Sequence, residues 1–217
     1  MRPERAGRMA RGRRPVKHPQ RAVRPFVAMT GGPAYVPHMS PQLMTAEELL
    51  QTSIPNKRTE LVRGHLVVRE PPGGRHGSVT ALLAVRLGNH IDLTGGGALF
   101  VGDTGFTLAR NPDTVRGPDI AFVQKERLPA PLPNSYLELA PDLVVEVLSH
   151  HDRPGETLAK IGDWLDAGAR IVWVIDPERR IARVYRHNGR ESLLREQDDL
   201  DGEDVLPGFR CKVSAIL

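Results

Sequence analysis

The segment Leu143-Val144-Val145-Glu146-Val147-Leu148 is the most apolar strand-like run of the chain, and it decides the predicted fold. All of its residues but one are apolar, which is typical of a strand buried on both faces of a sheet. The exception is Glu146, whose ionised carboxylate would cost several kcal/mol to bury without a partner. The sequence therefore predicts a partner for Glu146, either a lysine or arginine in a buried ion pair or a metal ion.

A second acid stands at the entrance of another apolar strand, in Gly117-Pro118-Asp119-Ile120-Ala121-Phe122-Val123. Pro118 favours an extended approach to that strand. Taken alone, Asp119 is typical of a turn or a strand end. Two strands that each bring one acid into an apolar layer can converge on one divalent cation, because hard cations take carboxylate oxygens and keep waters for a phosphate ligand.

A positive group follows on the next predicted helix, which begins at Pro154. Three apolar residues of this helix form its predicted core-facing stripe: Leu158, Ile161 and Leu165. Lys160 lies at the edge of that stripe, one turn before Trp164, so it can turn inward. A helix lysine is ordinarily a solvated surface residue, and that alternative stays open here.

The remaining elements occur in an irregular order. One helix begins at the capping box Thr45-Ala46-Glu47-Glu48, and a second ends at Gly95-Gly96-Gly97. The apolar residues of the second helix are Val79, Leu82, Leu83, Leu87 and Ile91. The predicted strands are a hairpin over 60–68 around Arg63-Gly64, then 98–101, 105–108, 120–123, 171–175, 181–185 and 192–194. This order predicts an α+β or mixed α/β domain rather than a doubly wound fold.

The charge is unevenly distributed along the chain. The 217 residues carry a formal net charge of +4 and a sequence pI near 9.6. Residues 1–24 hold nine basic side chains against Glu4 alone, so the rest of the chain is mildly acidic. Residues 1–40 are rich in arginine, proline and glycine without apolar periodicity, which predicts a disordered basic extension. Residues 41–217 are the predicted folded domain.

Three interpretations of the extension stay open: a nucleic-acid-binding arm, an organellar targeting segment, and an early start codon with Met29, Met39 or Met44 as the true start. A secretory signal is not expected, because an apolar segment of the required kind is missing.

Composition excludes several classes of protein. The chain holds one cysteine, Cys211, which excludes an intramolecular disulfide and a thiolate zinc site. The sequence contains no run of about 18 apolar residues, so no membrane span is predicted. A nucleotide-binding glycine loop is not expected either, because Gly95-Gly96-Gly97 follows a helix rather than a strand. We therefore expect an intracellular, cytoplasmic protein without a membrane partner.

The motifs Pro118-Asp119, Glu146-Val147-Leu148-Ser149 and Lys160 together resemble the PD-(D/E)xK nuclease superfamily, in its Uma-two branch of restriction-endonuclease-like proteins. Each motif is weak alone, but their order and spacing are specific. The resemblance covers about residues 42–217. It also includes residues 44–48, 60–64, 72–76, 168–177 and 206–209.

The resemblance implies a restriction-endonuclease-like fold, a central mixed sheet flanked by helices, and a catalytic set of Asp119, Glu146 and Lys160. Asp119 and Glu146, with the Val147 carbonyl, are the implied ligands of Mg²⁺ or Mn²⁺. Leu148 stands where the parent motif has its lysine, so Lys160 takes that role from the helix.

Glu60 and His76 match two further family positions and are candidate additions to the site. A structural role for His76 at the start of its helix is equally compatible. Two positions depart from the family pattern, which commonly has proline at His150 and tyrosine at Trp164. The adjacent histidines His150 and His151 are expected to be solvent-exposed.

The predicted function is that of a metal-dependent endonuclease that hydrolyses DNA. The alternative is a nuclease-like fold that no longer cleaves and serves as a binding or assembly module, which the acidic balance of the folded part favours. Retention of Asp119, Glu146 and Lys160 together favours the enzyme. The sequence leaves the oligomeric state open, with a homodimer among the alternatives.

Overall fold

A computed structural model describes residues 43–217 of the chain, which contain three α-helices and twelve β-strands. The helices are α1 (Ala46–Gln51), α2 (Gly74–Thr94) and α3 (Pro154–Asp166). The first six strands are β1 (Arg58–Val62), β2 (His65–Arg69), β3 (Gly97–Val101), β4 (Phe106–Ala109), β5 (Thr114–Arg116) and β6 (Ile120–Gln124). The last six are β7 (Leu143–Val147), β8 (Ile171–Asp176), β9 (Ile181–Arg186), β10 (Glu191–Arg195), β11 (Asp199–Asp201) and β12 (Arg210–Lys212).

The central sheet has six strands in the order β10-β9-β8-β7-β6-β3. Strands β7 and β8 are parallel, with Val145 opposite Trp173, and helix α3 connects them. The other neighbouring pairs of this sheet are antiparallel. Since every residue of β7 is buried, the most apolar run lies inside the sheet, as the sequence predicted.

Each face of the central sheet packs against its own helix. Leu143, Val145 and Val147 pack with the buried residues of α2 on one face. Val144 packs with Ile161 and Trp164 of α3 on the other. Because successive strand residues point to opposite faces, Glu146 points to the α3 face. The mixed α+β architecture predicted from the sequence is thereby confirmed.

A second sheet, in the order β2-β1-β5-β4, supports the site from the side. Its β1–β2 hairpin turns at Arg63 and Gly64, which both have positive φ, as the two-residue turns of hairpins require. Helix α1 begins at Thr45 with the predicted capping box, in which Thr45 and Glu48 each bond the other's backbone N–H. The predicted hairpin and first helix are therefore confirmed.

Some of the sequence predictions were wrong or incomplete. The predicted stripe of α3 was wrong at one position: Leu158 is 57% exposed, whereas Ile161 is buried and Leu165 packs partly buried against the same core. Lys160 and Trp164 are buried beside them. Leu82 of α2 is likewise exposed. In both helices, packing against the central sheet decides which residues are buried, and apolar periodicity alone does not show it. Strands β5, β11 and β12 were missed, because three residues are too few for a periodic signal.

The predicted basic extension, residues 1–40, lies outside the described residues. Within residues 43–217, no helix has the length and apolar character needed to cross a membrane.

The turn between β1 and β2 should be sensitive to substitution of Gly64. Gly64 has a φ of +77°, and a Cβ there would lie 2.6 Å from the Cβ of Leu43. An alanine in the left-handed region costs about 1 kcal/mol. We expect Gly64→Ala to lower the free energy of unfolding by more than this, because its Cβ would also meet Leu43. Gly189→Ala is the matched control, since its φ is +78° and a Cβ there has nothing within 4 Å. Equal losses in thermal unfolding would contradict the close approach of Leu43.

Candidate functional site

Glu146 lies at the centre of the site, with both carboxylate oxygens bonded to helix α3. Lys160 Nζ donates to Oε2 at 2.9 Å, and Trp164 Nε1 donates to Oε1 at 2.9 Å. Lys160 and Trp164 are four residues apart and so lie on the same face of the helix. The partner that burial demands for Glu146 is therefore Lys160, supplemented by an indole N–H.

Lys160 is buried and makes two contacts besides Glu146. Its ammonium lies 3.0 Å from Glu60 Oε1 and donates to the Gly117 carbonyl at 2.9 Å. All three donors of the ammonium are thereby engaged. The solvated surface lysine that the sequence left open does not occur.

Asp119 is fixed by the strand that carries Glu146. Its Oδ2 accepts from the Val147 backbone N–H at 2.7 Å and lies 3.1 Å from His76 Nε2. The other oxygen, Oδ1, is 3.5 Å from Arg58 Nη1. One side of this carboxylate is therefore held firmly, and the other is only loosely engaged.

Glu60 belongs to a buried network that ties strand β1 to helix α3. Arg116 donates to Glu60 Oε2 at 2.8 Å and to Asp163 Oδ2 at 2.9 Å through Nε. Glu60 Oε1 also accepts from the Gly117 backbone N–H at 3.1 Å. With Lys160 on its carbonyl, Gly117 is held from both sides, and this holds the approach to Asp119.

Burial and mutual charge interactions shift the pKa values of the site's carboxylates and of Lys160. Burial, together with the carboxylates of Asp119 and Glu60, raises the pKa of Glu146 to about 7 against the opposing effect of Lys160. Burial alone would lower the pKa of Lys160, but the carboxylates of Glu146, Glu60 and Asp119 outweigh it and raise that pKa. Lys160 therefore stays charged, and Glu146 is the group nearest to holding a proton.

Glu60 and Asp119 shift in the opposite direction. Burial would raise the pKa of Glu60, but Lys160 and Arg116 outweigh it and lower the pKa to about 2. For Asp119, burial is likewise outweighed, mainly by His76 and Lys160, and the pKa is lowered. Both carboxylates are therefore ionised at neutral pH.

These side chains meet at an open cavity of about 400 Å³. Asp119, Glu146, Lys160 and His76 line it together with residues of the β1–β2 hairpin and of the segment before α3. Each of the four is buried. The lining of the cavity therefore includes two carboxylates, an ammonium group and an imidazole.

The structure brings together the five side chains that the sequence predicted for the site. Lys160 contacts Glu60 and Glu146, His76 contacts Asp119, and Asp119 accepts from the Val147 N–H next to Glu146, while the roles of these residues stay predictions. The Val147 backbone bonds Asp119 through its N–H; a role for its carbonyl as a metal ligand also stays a prediction. His150 and His151 are exposed, as expected, although His151 borders the cavity.

Four residues of the site were missed by the sequence prediction: Trp164, Arg116, Arg58 and Arg69. Trp164 occupies the position where the family commonly has tyrosine, which was the one available signal. The arginines had no such signal, because their partners are 45 or more residues away in the chain, as for Arg58 and Asp103, or lie across the hairpin, as for Arg69 and Glu60.

The donor chemistry of the site fits a divalent cation. Asp119 Oδ1 is loosely engaged, and burial, together with the carboxylates of Asp119 and Glu60, raises the pKa of Glu146, so a cation beside it would favour its ionised form. Mg²⁺ uses one or two carboxylates and keeps several waters, so two side chains suffice. Within residues 43–217, no group of three or more His, Cys, Asp or Glu side chains has the geometry of a metal centre.

Comparisons with known proteins identify a family and a fold. The Uma2 family model, described as "putative restriction endonuclease", matches residues 46–214. The chain is also similar to the crystal structure of a putative nuclease belonging to DUF820 from Anabaena variabilis. That match has a TM-score of 0.71 and 18% identity, and covers 80% of this chain and 97% of the other. The similarity shows a shared fold. A search of curated proteins gave no match.

The pKa values of Glu146 and Glu60 shift in opposite directions. Substitution by glutamine at the two positions should therefore have opposite effects on thermal stability, measured in the absence of divalent metal. The raised folded-state pKa of Glu146 contributes stability that is present below its unfolded value and is lost as pH rises through about 7. Glu146→Gln should therefore melt above the wild type at pH 8, with the difference narrowing towards pH 5. Thermal unfolding in EDTA across this range is the measurement.

Glu60→Gln is the matched control in the same cluster. The lowered pKa of Glu60 contributes stability that is present above its unfolded value and is lost as pH falls through about 2. This variant should therefore melt below the wild type at pH 8. A loss of about 3 kcal/mol or more for Glu146→Gln at pH 8 would mean that the ion pair with Lys160 stabilises the fold by more than burial of the carboxylate costs.

Proposed function

The chain belongs to the Uma2 family of putative restriction endonucleases, and on that premise we propose that it is a metal-dependent endonuclease acting on DNA. One observation carries the proposal. Asp119 before β6, Glu146 of β7 and Lys160 of α3 come from three separate elements and line one cavity. A carboxylate pair and an ammonium at one opening are the groups that phosphodiester hydrolysis requires.

The carboxylates of Asp119 and Glu146, with the Val147 carbonyl, would hold Mg²⁺ or Mn²⁺. When bound, such an ion polarises a phosphate oxygen and lowers the pKa of a bound water. The protein's own part is to keep both carboxylates fixed. Val147 N–H and His76 hold Asp119, while Trp164 N–H holds Glu146.

Lys160 would supply positive charge next to the attacking water and the phosphate. Its ammonium already lies 2.9 Å from Glu146 Oε2, and its raised pKa keeps it protonated. The ammonium is held by Glu60 and the Gly117 carbonyl, so it needs little reorganisation when charge develops in the transition state. This preorganisation supports an electrostatic role rather than that of a general base.

Removal of either carboxylate should abolish cleavage. We expect Asp119→Ala and Glu146→Ala to stay folded, because Lys160 retains Glu60 and the Gly117 carbonyl as partners when Glu146 is lost. The measurement is cleavage of plasmid and single-stranded DNA with Mg²⁺, Mn²⁺ or EDTA, beside circular dichroism of each variant. Metal-dependent cleavage by either folded variant would contradict the assignment. A wild type that binds DNA without cleaving it would favour the inactive binding module.

Lys160→Ala should lower the single-turnover cleavage rate by roughly 100- to 1000-fold, as is typical of losing one preorganised electrostatic group. Lys160→Arg should be a poor substitute, because a planar guanidinium does not fit the three-way contact of a compact ammonium. Lys125→Ala is the control, since Lys125 is exposed on the turn after β6. Wild-type rates for Lys160→Ala would assign the positive group to another residue.

A further inference from the structure

Two arginines face each other at the edge of the cavity. Arg58 of β1 and Arg69 of β2 are directly opposite in the antiparallel hairpin. Both line the cavity beside Asp119 and Glu146, with side chains 22% and 24% exposed. Like charges directly opposite each other destabilise an antiparallel pair. This placement therefore costs stability unless negative charge lies close to both guanidinium groups.

Each arginine of this pair has two carboxylates within 4 Å, but none of these contacts is shorter than 3.2 Å. Arg58 lies 3.3 Å from Asp103 and 3.5 Å from Asp119. Arg69 lies 3.2 Å from Glu156 and 3.9 Å from Glu60. Bonds between an arginine and a carboxylate are ordinarily about 2.7–2.9 Å long.

Arg116, in contrast, does not line the cavity. It lies 2.8 Å from Glu60 and is buried, whereas the two hairpin arginines reach the cavity. A guanidinium group has five N–H donors, and Arg58 and Arg69 use few of theirs on residues within 43–217. Their unused donors are therefore available to an anion in the cavity.

We propose that Arg58 and Arg69 jointly bind one phosphate of a nucleic-acid backbone, adjacent to the phosphodiester at Asp119 and Glu146. Directly opposite residues of an antiparallel pair have Cβ atoms about 4.5–5.5 Å apart, so both guanidinium groups can reach the same phosphate. Paired N–H donors match phosphate oxygens, and the bound anion removes the repulsion between the two arginines. The inference rests on the proposed function and names how the site holds its substrate.

The test is binding of a short fluorescent DNA duplex, and in parallel of one of its strands, to the full chain in EDTA over a series of salt concentrations. Arg58→Gln and Arg69→Gln should each weaken binding roughly 10-fold. The double variant should lower the slope of log affinity against log salt by about 1, because one phosphate contact is lost. Two separate phosphates would lower it by about 2.

Three further variants separate binding from structural effects. Arg195→Gln removes an exposed arginine of β10, outside the cavity, and should bind like the wild type. Arg58→Lys and Arg69→Lys should restore the salt slope but only part of the affinity, since lysine keeps the charge without the planar fork. Circular dichroism of the Gln variants checks that they stay folded, since each loses two carboxylate contacts of 3.2 Å or longer together with a like-charge neighbour.

Unchanged DNA affinity and salt slope in the double variant would overturn the inference, as would a slope lowered by about 2. So would a wild type that fails to bind DNA at low salt. Cleavage with Mg²⁺ is measured separately. Binding that depends on the two arginines without any cleavage would leave this inference standing and overturn the proposed endonuclease.

Discussion

The buried carboxylate of Glu146 imposes the constraint on which the rest of the site depends. It stands inside an apolar strand, where an unpaired charge would cost several kcal/mol. Helix α3 meets this cost by presenting Lys160 and Trp164 one turn apart, each 2.9 Å from one carboxylate oxygen. The face of α3 that turns to the sheet therefore combines this polar pair with the apolar contacts of Ile161 and Trp164, while Leu158 lies in solvent.

The topology makes this contact local. Strand β7 leads into α3, and α3 returns the chain to β8 beside it, so Glu146 and Lys160 are 14 residues apart. The second sheet then closes the site from the side. Through Glu60 and Arg116 it contacts both the helix and the Gly117 backbone, so one network holds the two carboxylates and the lysine in register.

The charge balance of the network connects this architecture to the proposed chemistry. Glu60, Asp119 and Glu146 lie close together, and the nearby cations stabilise the ionised forms of the first two better than that of Glu146. Perturbed pKa values of this kind cluster at functional sites. The family membership favours a nuclease, and the proposed cation would complete the charge balance. The proposed phosphate contact of Arg58 and Arg69 would extend the site from the phosphodiester at Asp119 and Glu146 to an adjacent phosphate of the DNA backbone.

The sequence by itself determined most of the helices and strands and the central residues of the candidate site, although the three-residue strands β5, β11 and β12 left no signal. Glu146 was recognisable because a carboxylate in an apolar run violates the ordinary cost of burial, and Asp119 because it opens a second such run. Lys160 followed from the family resemblance and from its place on the next helix. These signals are local, so they survive without knowledge of the fold. The tertiary structure decided which side of α3 is buried, that Trp164 bonds Glu146, and that Arg58 and Arg69 share the cavity. Those contacts depend on strand order and register, which bring together residues far apart in the chain and leave no periodic trace in the sequence.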